Sequence, residues 1–165
     1  MSKKTSLRTV ADDDWEFLYQ VYADTREEEL QQVPWSREEK DSFLRFQFDA
    51  QRKYYAEVFT AADYYIVEVD GERAGRLYLD RRDDEIRLID IALLSRFRGR
   101  GLGSELMADV LAEGQRKGLL VRIHVEQNNP AMRLYKRLGF QKIEEQGVYW
   151  LMEWMPKSRE TTDVG

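Results

Sequence analysis

Apolar side chains recur at helical spacing from Trp15, through Leu18, Tyr19 and Tyr22, which predicts a helix with one apolar face. Asp12, Asp13 and Asp14 precede it and supply an N-cap and first-turn negative charge. Pro34-Trp35 breaks the pattern, and Ser36 with Glu39 forms a capping box opening a second helix. Phe43, Phe46, Ala50 and Tyr54 form its expected apolar stripe. The period then changes. Tyr64 to Val69 is rich in aromatic and β-branched residues and ends at the hairpin signal Asp70-Gly71, with Ala74 to Leu79 as its partner. Glu85 to Leu93 reads as a third strand, apolar on both faces near its end except at Asp90, as in mid-sheet. A glycine turn at Arg98 to Gly103 leads into a helix to about Lys117, with Gly118 as its stop. Leu120 to Val125 is a strand, and Asn128 or Asn129 caps a helix with Pro130 in its first turn. Phe140 to Ile143 and Val148 to Trp154 close the chain as a hairpin. With a short first strand at Ser6 to Val10, the order is β-α-α-β-β-β-α-β-α-β-β, an α+β fold with a mixed central sheet flanked by helices on both faces.

The length of 165 residues fits one domain, expected over 1–156, followed by a flexible tail at 157–165. No apolar run approaches the roughly 18 residues of a membrane helix, and no signal peptide opens the chain, so a cytoplasmic protein is expected. Cysteine is absent and histidine occurs once, at His124. Thiolate nucleophiles, Fe–S clusters and cysteine-based zinc sites are thereby excluded, and no metal is expected. A net charge of −5 argues against a nucleic-acid partner. The charge is unevenly placed. Residues 1–95 carry 14 basic and 22 acidic side chains, and residues 96–165 carry 12 and 9.

The basic part holds Arg98-Gly99-Arg100-Gly101-Leu102-Gly103-Ser104, joining a buried strand to an amphipathic helix. Glycines let backbone amides approach a ligand, a helix N-terminus favours negative charge, and Arg96, Arg98 and Arg100 add more. The turn therefore reads as a phosphate cradle or as a tight strand-helix turn with solvated arginines. Walker A and dinucleotide-binding fingerprints both fail here, since no Gly-Lys-Ser/Thr occurs and the required last glycine falls on Ser104 or Leu106.

Arg98-x-x-Gly101-x-Gly103 resembles the pyrophosphate-binding motif of the GNAT superfamily of acetyl-CoA-dependent N-acetyltransferases. A second segment, Asn128-x-x-Ala131-x-x-Leu134-Tyr135-x-x-x-Gly139-Phe140, also resembles that superfamily. The close match covers about a third of the chain, and the element order agrees over nearly all of it. Arg26 to Tyr55 is similar to a group of bacterial members. The resemblance implies acetyl-CoA as co-substrate and an amine acceptor attacking the thioester directly, which needs no enzyme nucleophile. It implies that the Leu93 amide faces the thioester oxygen, that Tyr135 is the general acid and that Asn128 bonds the pantetheine arm. A phenol, with an ordinary pKa of about 10, is protonated at neutral pH as an acid must be. The other reading of Tyr135 is a core tyrosine, and that of Asn128 is a helix cap.

An ammonium acceptor, with a pKa of about 10.4, must lose a proton. Asp90 is either that base or an aspartate paired with an arginine, in a setting where burial equips a carboxyl for proton transfer. Many members of the superfamily carry their acid slightly earlier on this strand, where Leu88 and Ile89 stand. Glu27, Glu28 or Glu29 is an alternative base, or part of a solvated charge run. His124 lines the acceptor channel or is structural. The acidic first part predicts a small cationic amine or a peptide amine as acceptor, with Glu28 and the apolar walls Tyr22, Trp35 and Tyr54 around it. Two other functions share these features: a non-catalytic acyl-CoA-binding module, and an acyltransferase using another acyl donor. Finally, Tyr149, Trp150, Leu151, Met152 and Trp154 offer more apolar surface than one edge strand needs, enough to pair with a second copy as a homodimer.

Overall fold

The computed structural model describes residues 4–157. The elements follow the expected order: β1 (Thr5–Thr9), α1 (Trp15–Gln31), α2 (Arg37–Val58), β2 (Asp63–Val69), β3 (Glu72–Arg81), β4 (Glu85–Leu93), α3 (Leu102–Lys117), β5 (Leu120–Glu126), α4 (Met132–Arg137), β6 (Gln141–Gln146) and β7 (Tyr149–Trp154). The sheet order is β1-β2-β3-β4-β5-β7-β6. β4 and β5 are parallel, whereas β1–β2, β5–β7 and β6–β7 are antiparallel. Two compact units share the strands: Met1–Tyr78 with Asp90–Gly103, and Leu79–Ile89 with Ser104–Gly165. The tail expected over 157–165 lies, from residue 158 on, outside the described residues. None of the described helices is long and apolar enough to cross a membrane.

In the first unit, α1 and α2 close a core over β2 made of Leu18, Tyr19, Tyr22, Leu30, Leu44, Phe48 and Ile66. The α2 cap forms as its sequence dictates. The Ser36 hydroxyl accepts from the Glu39 amide at 3.1 Å, and the Glu39 carboxylate accepts from the Ser36 amide at 2.8 Å. The α2 stripe differs from expectation. Phe43, Phe46 and Tyr54 are exposed, and the buried positions are Leu44 and Phe48. Aromatic residues surround this helix, so its period fixes the helix but not its phase. The phase comes from α1, whose Tyr19 and Tyr22 rings both lie 5.7 Å from Phe48.

Asp14, 1% exposed, holds the start of α1. Its carboxylate accepts from Arg8 at 2.7 and 2.9 Å, from Arg73 at 3.2 Å and from the Ala11 amide at 2.8 Å. These donors, Arg8 first, hold its carboxyl far below the usual range despite burial.

In the second unit, Glu85 is buried beside Arg122 at 3.1 Å, and Arg122 also reaches Glu153 of β7 at 2.9 Å. Glu113 of α3 accepts from Arg81 of β3 at 2.7 Å and from Lys117 at 2.9 Å. β7 is not the edge strand that homodimer pairing required. It is hydrogen-bonded to β5 on one side and to β6 on the other, and β6 is exposed along its whole length.

Replacing Asp14 by Ala is expected to cost about 2 kcal/mol in urea unfolding at pH 7, less than a stranded buried charge, because Arg8 and Arg73 can rehydrate. The native carboxyl has a depressed pKa, so its contribution is present above about pH 4 and is lost as pH falls below that. The wild type should therefore lose more stability on acidification than Asp14→Ala does.

Candidate active site

β3 and β4 approach closely where β4 ends. A Cβ on Gly75 would stand 2.1 Å from the Ala92 carbonyl oxygen and 2.9 Å from the Leu93 Cα, so no larger residue fits there. Just beyond, the Leu94 amide donates to the Ala74 carbonyl at 2.9 Å. Val69, Ala74, Phe97 and Leu102 form a small core beneath this corner, with Leu93 and Leu94 against it. The chain leaves β4 through a 3-10 turn at Ser95–Phe97 and enters the glycine turn.

Gly99 and Gly101 have φ of 76° and 77°, a left-handed backbone that disfavours any side chain. No atom lies within 4 Å of a Cβ built on Gly99, Gly101 or Gly103. Backbone conformation, not crowding, demands the first two glycines, and the space outside the turn is open. Leu102 begins α3, so the turn adjoins the N-terminus of a 16-residue helix.

The arginines of the turn divide their work. Arg98 folds back: its Nε donates to the Leu93 carbonyl at 3.0 Å and its Nη2 to Asp24 of α1 at 3.0 Å. Asp24 also accepts from the Ser95 amide at 2.8 Å. Arg96 pairs with Glu72 at 3.0 Å. The Arg100 guanidinium lies 5.3 Å from the Phe97 ring and has no carboxylate partner among the described residues. Arg98 is thus committed to the strand end, and Arg100 is the arginine left for an anion.

Asp90 is ion-paired with Arg76 of β3, whose side chain is 3% exposed. Arg76 Nη2 also donates to Gln51 of α2 at 3.2 Å. Of the two readings of Asp90, pairing with an arginine is the arrangement observed. The partner had a signal in the sequence: Arg76 is the lone charge in Ala74–Leu79, as Asp90 is at the end of β4. Sequence reading also missed Asp24 and Gly75. A glycine inside a strand marks close backbone approach and could have identified the second.

The second unit carries Ser104, His124, Asn128 and Tyr135. Its parallel ladder pairs β4 with β5 from Glu85↔Leu120 to Leu88↔Ile123, and both strands run on past it. Asn129, not Asn128, caps the following turn, accepting from the Ala131 amide at 2.8 Å, and Asn128 is exposed. Tyr135 is 3% exposed, with its ring edge-on to Phe140 at 5.9 Å. His124 faces away from the buried Val121, Ile123 and Val125 and touches Arg87. Desolvation, then the Arg87 charge, keeps its pKa below the ordinary histidine value.

The expected acceptor residues are scattered over α1 and α2. Tyr22 is buried in the core, where its hydroxyl donates to Gln47 at 3.2 Å. Glu28 is exposed on α1, and Tyr54 is exposed on α2. Trp35 is 40% exposed, edge-on to Phe43 at 5.1 Å, in a surface depression that also includes Glu38, Glu39 and Ser42.

Residues 15–140 match the Acetyltransferase (GNAT) family, and the chain belongs to that family of acetyltransferases. It is 28% identical over 144 residues, 86% of this chain and 83% of the relative, to a Bacillus subtilis (strain 168) protein provisionally named a [ribosomal protein bS18]-alanine N-acetyltransferase. Among solved structures, the PaiA N-acetyltransferase of Thermoplasma acidophilum in complex with coenzyme A superposes with a TM-score of 0.70 at 18% identity, covering 94% of this chain and 99% of that one. The ribosomal-protein-S18-alanine N-acetyltransferase of Escherichia coli superposes with a TM-score of 0.64 at 16% identity, covering 96% and 99%.

Gly75→Ala must push β4 away from β3. It should cost about 2 kcal/mol of stability and, with the Leu93 end of β4 displaced, raise the KM for acetyl-CoA more than Asp14→Ala does. Unfolding and steady-state kinetics on both variants check this.

Proposed function

We propose that the chain transfers an acetyl group from acetyl-CoA to a primary amine by direct attack, with donor and acceptor bound together. One observation supports this above the rest: the open glycine turn at the start of α3, with two left-handed glycines and, beside them, Arg100, which has no carboxylate partner among the described residues. A helix N-terminus with open space beside its glycines suits a diphosphate. In this reading the amides from Gly99 to Ser104, Leu102 included, and the Arg100 guanidinium hold the diphosphate. Arg98 acts one step back, fixing the strand end from which the Leu93 amide serves the thioester oxygen. The exposed Asn128 amide, relieved of capping by Asn129, takes the pantetheine arm.

The coenzyme supplies the thioester, whose carbon the neutral amine attacks. The C–N bond forms as the C–S bond breaks, Tyr135 gives its proton to the departing sulfur, and the proton shed by the acylated nitrogen returns the phenolate to its neutral form. The chain has no cysteine to carry an acyl intermediate.

For the acceptor we propose a cationic amine, small or at the end of a peptide. The depression around Trp35 and Phe43, with Glu38 and Glu39 on its lining, has the aromatic and acidic character that suits such a group. The Bacillus relative's name specifies an alanine of a ribosomal protein, a peptide amine of this kind.

Calorimetry with acetyl-CoA and with CoA tests the donor: saturable heat is expected, and no binding at millimolar levels would end the proposal. Tyr135→Phe should lower kcat about a hundredfold with acetyl-CoA affinity nearly unchanged, and an unchanged rate would return Tyr135 to the core. Asp90→Asn decides between a base and a tie to Arg76. A rate loss deepest at low pH marks the base, and a loss independent of pH marks the tie.

A further inference from the structure

Away from the glycine turn, the first unit contains a cavity of about 370 Å³ beneath the C-terminal half of α2, within the size range of small-molecule sites. Its lining is graded. Phe48, Tyr78 and Arg76 are buried, whereas Thr9, Arg52 and Ala56 are exposed. Trp15, Phe48, Tyr55, Tyr64 and Tyr78 give it an aromatic wall. Tyr64 and Tyr55 stand edge-on to Tyr78, at 4.8 and 5.9 Å. The Tyr64 hydroxyl is fixed by donation to the Tyr55 and Phe59 carbonyls, at 3.1 and 2.9 Å.

Aromatic walls can attract a cation, but here guanidinium groups already occupy ring faces. Arg52 lies 3.5 Å from the centroid of Trp15, and Arg76 lies 5.1 Å from that of Tyr78. An added ammonium would meet two like charges. The two arginines also differ. Arg76 already has Asp90 as its ion-pair partner and Gln51 as a hydrogen-bond acceptor. Arg52 has no carboxylate partner among the described residues. Asp63, the acidic residue of the lining, already has an interaction of its own. The unanswered charge is therefore positive and sits at the exposed end, while the apolar surface lies at the buried end. That polarity matches an amphiphilic anion entering ring first.

We propose that this cavity binds a small aromatic carboxylate, its ring against Tyr55, Tyr64 and Tyr78 and its carboxylate on Arg52. Neither the glycine turn nor Tyr135 lines it, and although Arg76 of its lining carries the ion pair to Asp90, the proposal is read by ligand binding and not by acetyl transfer.

The test uses three ligands with one ring and three charge states: phenylacetate, 2-phenylethanol and 2-phenylethylamine, titrated calorimetrically into the full chain without acetyl-CoA. Phenylacetate should bind with a Kd near or below about 1 mM, and the alcohol and the amine at least about tenfold more weakly. Arg52→Gln, a change at an exposed position, should weaken phenylacetate binding by at least about tenfold and abolish the preference over the alcohol. Ala56→Phe should block all three ligands with an unchanged Tm, and it serves as the second variant should Arg52→Gln fail to fold. Three outcomes would overturn the proposal: no binding of phenylacetate at about 10 mM, equal or tighter binding of the amine, or wild-type affinity in Arg52→Gln. Acetyl-CoA binding, measured separately, is expected to survive all of these outcomes.

Discussion

The end of β4 is fixed by a contact that tolerates no side chain. Gly75 lets β3 come within van der Waals reach of Ala92 and Leu93, and Arg98 then bonds the Leu93 carbonyl while Asp24 of α1 holds both Arg98 and the Ser95 amide. Three separated parts of the sequence thus converge on one strand end. From that end the chain can enter two left-handed glycines and start α3 without a long loop. A phosphate cradle made of amides works only if its backbone is rigid before the ligand arrives, because ordering it on binding would consume affinity. In the proposed function the contacts of Gly75, Asp24 and Arg98 supply that rigidity.

This arrangement changes what the motif arginines mean. Charge counting around the turn gives Arg96, Arg98 and Arg100 one electrostatic role, but the structure pairs Arg96 with Glu72 and Arg98 with Asp24, and gives Arg100 no carboxylate among the described residues. Arg98 acts on the fold, tying Asp24 of α1 to the end of β4. Asp90 and Arg76 show the same economy. Two charges within apolar strands neutralise each other, so neither is stranded without solvent.

Much of the fold was legible because it is written locally. The span of β4, the end of α3 at Lys117 before Gly118 and the reciprocal Ser36–Glu39 cap all follow from residues within a few positions of each other. The glycine turn was legible for the same reason. Long-range features were not. The phase of α2 depends on which aromatic α1 covers, and Phe43/Phe46/Tyr54 and Leu44/Phe48 obey the same period. The place of β7 between β5 and β6 depends on strand order, which its own apolar residues do not encode. Asp24, Gly75 and Arg76 matter through partners far along the chain, and the aromatic cavity is assembled from five elements and the loops between them.

The central claim is that the amides of the turn grip the diphosphate of a coenzyme A thioester. Amide chemical shifts followed during a titration of the isotope-labelled protein with CoA test it most directly. The largest changes are expected on Gly99, Gly101, Gly103 and Ser104, in one saturating process. Amides of the turn that stay in place while the changes gather elsewhere in the chain would contradict it.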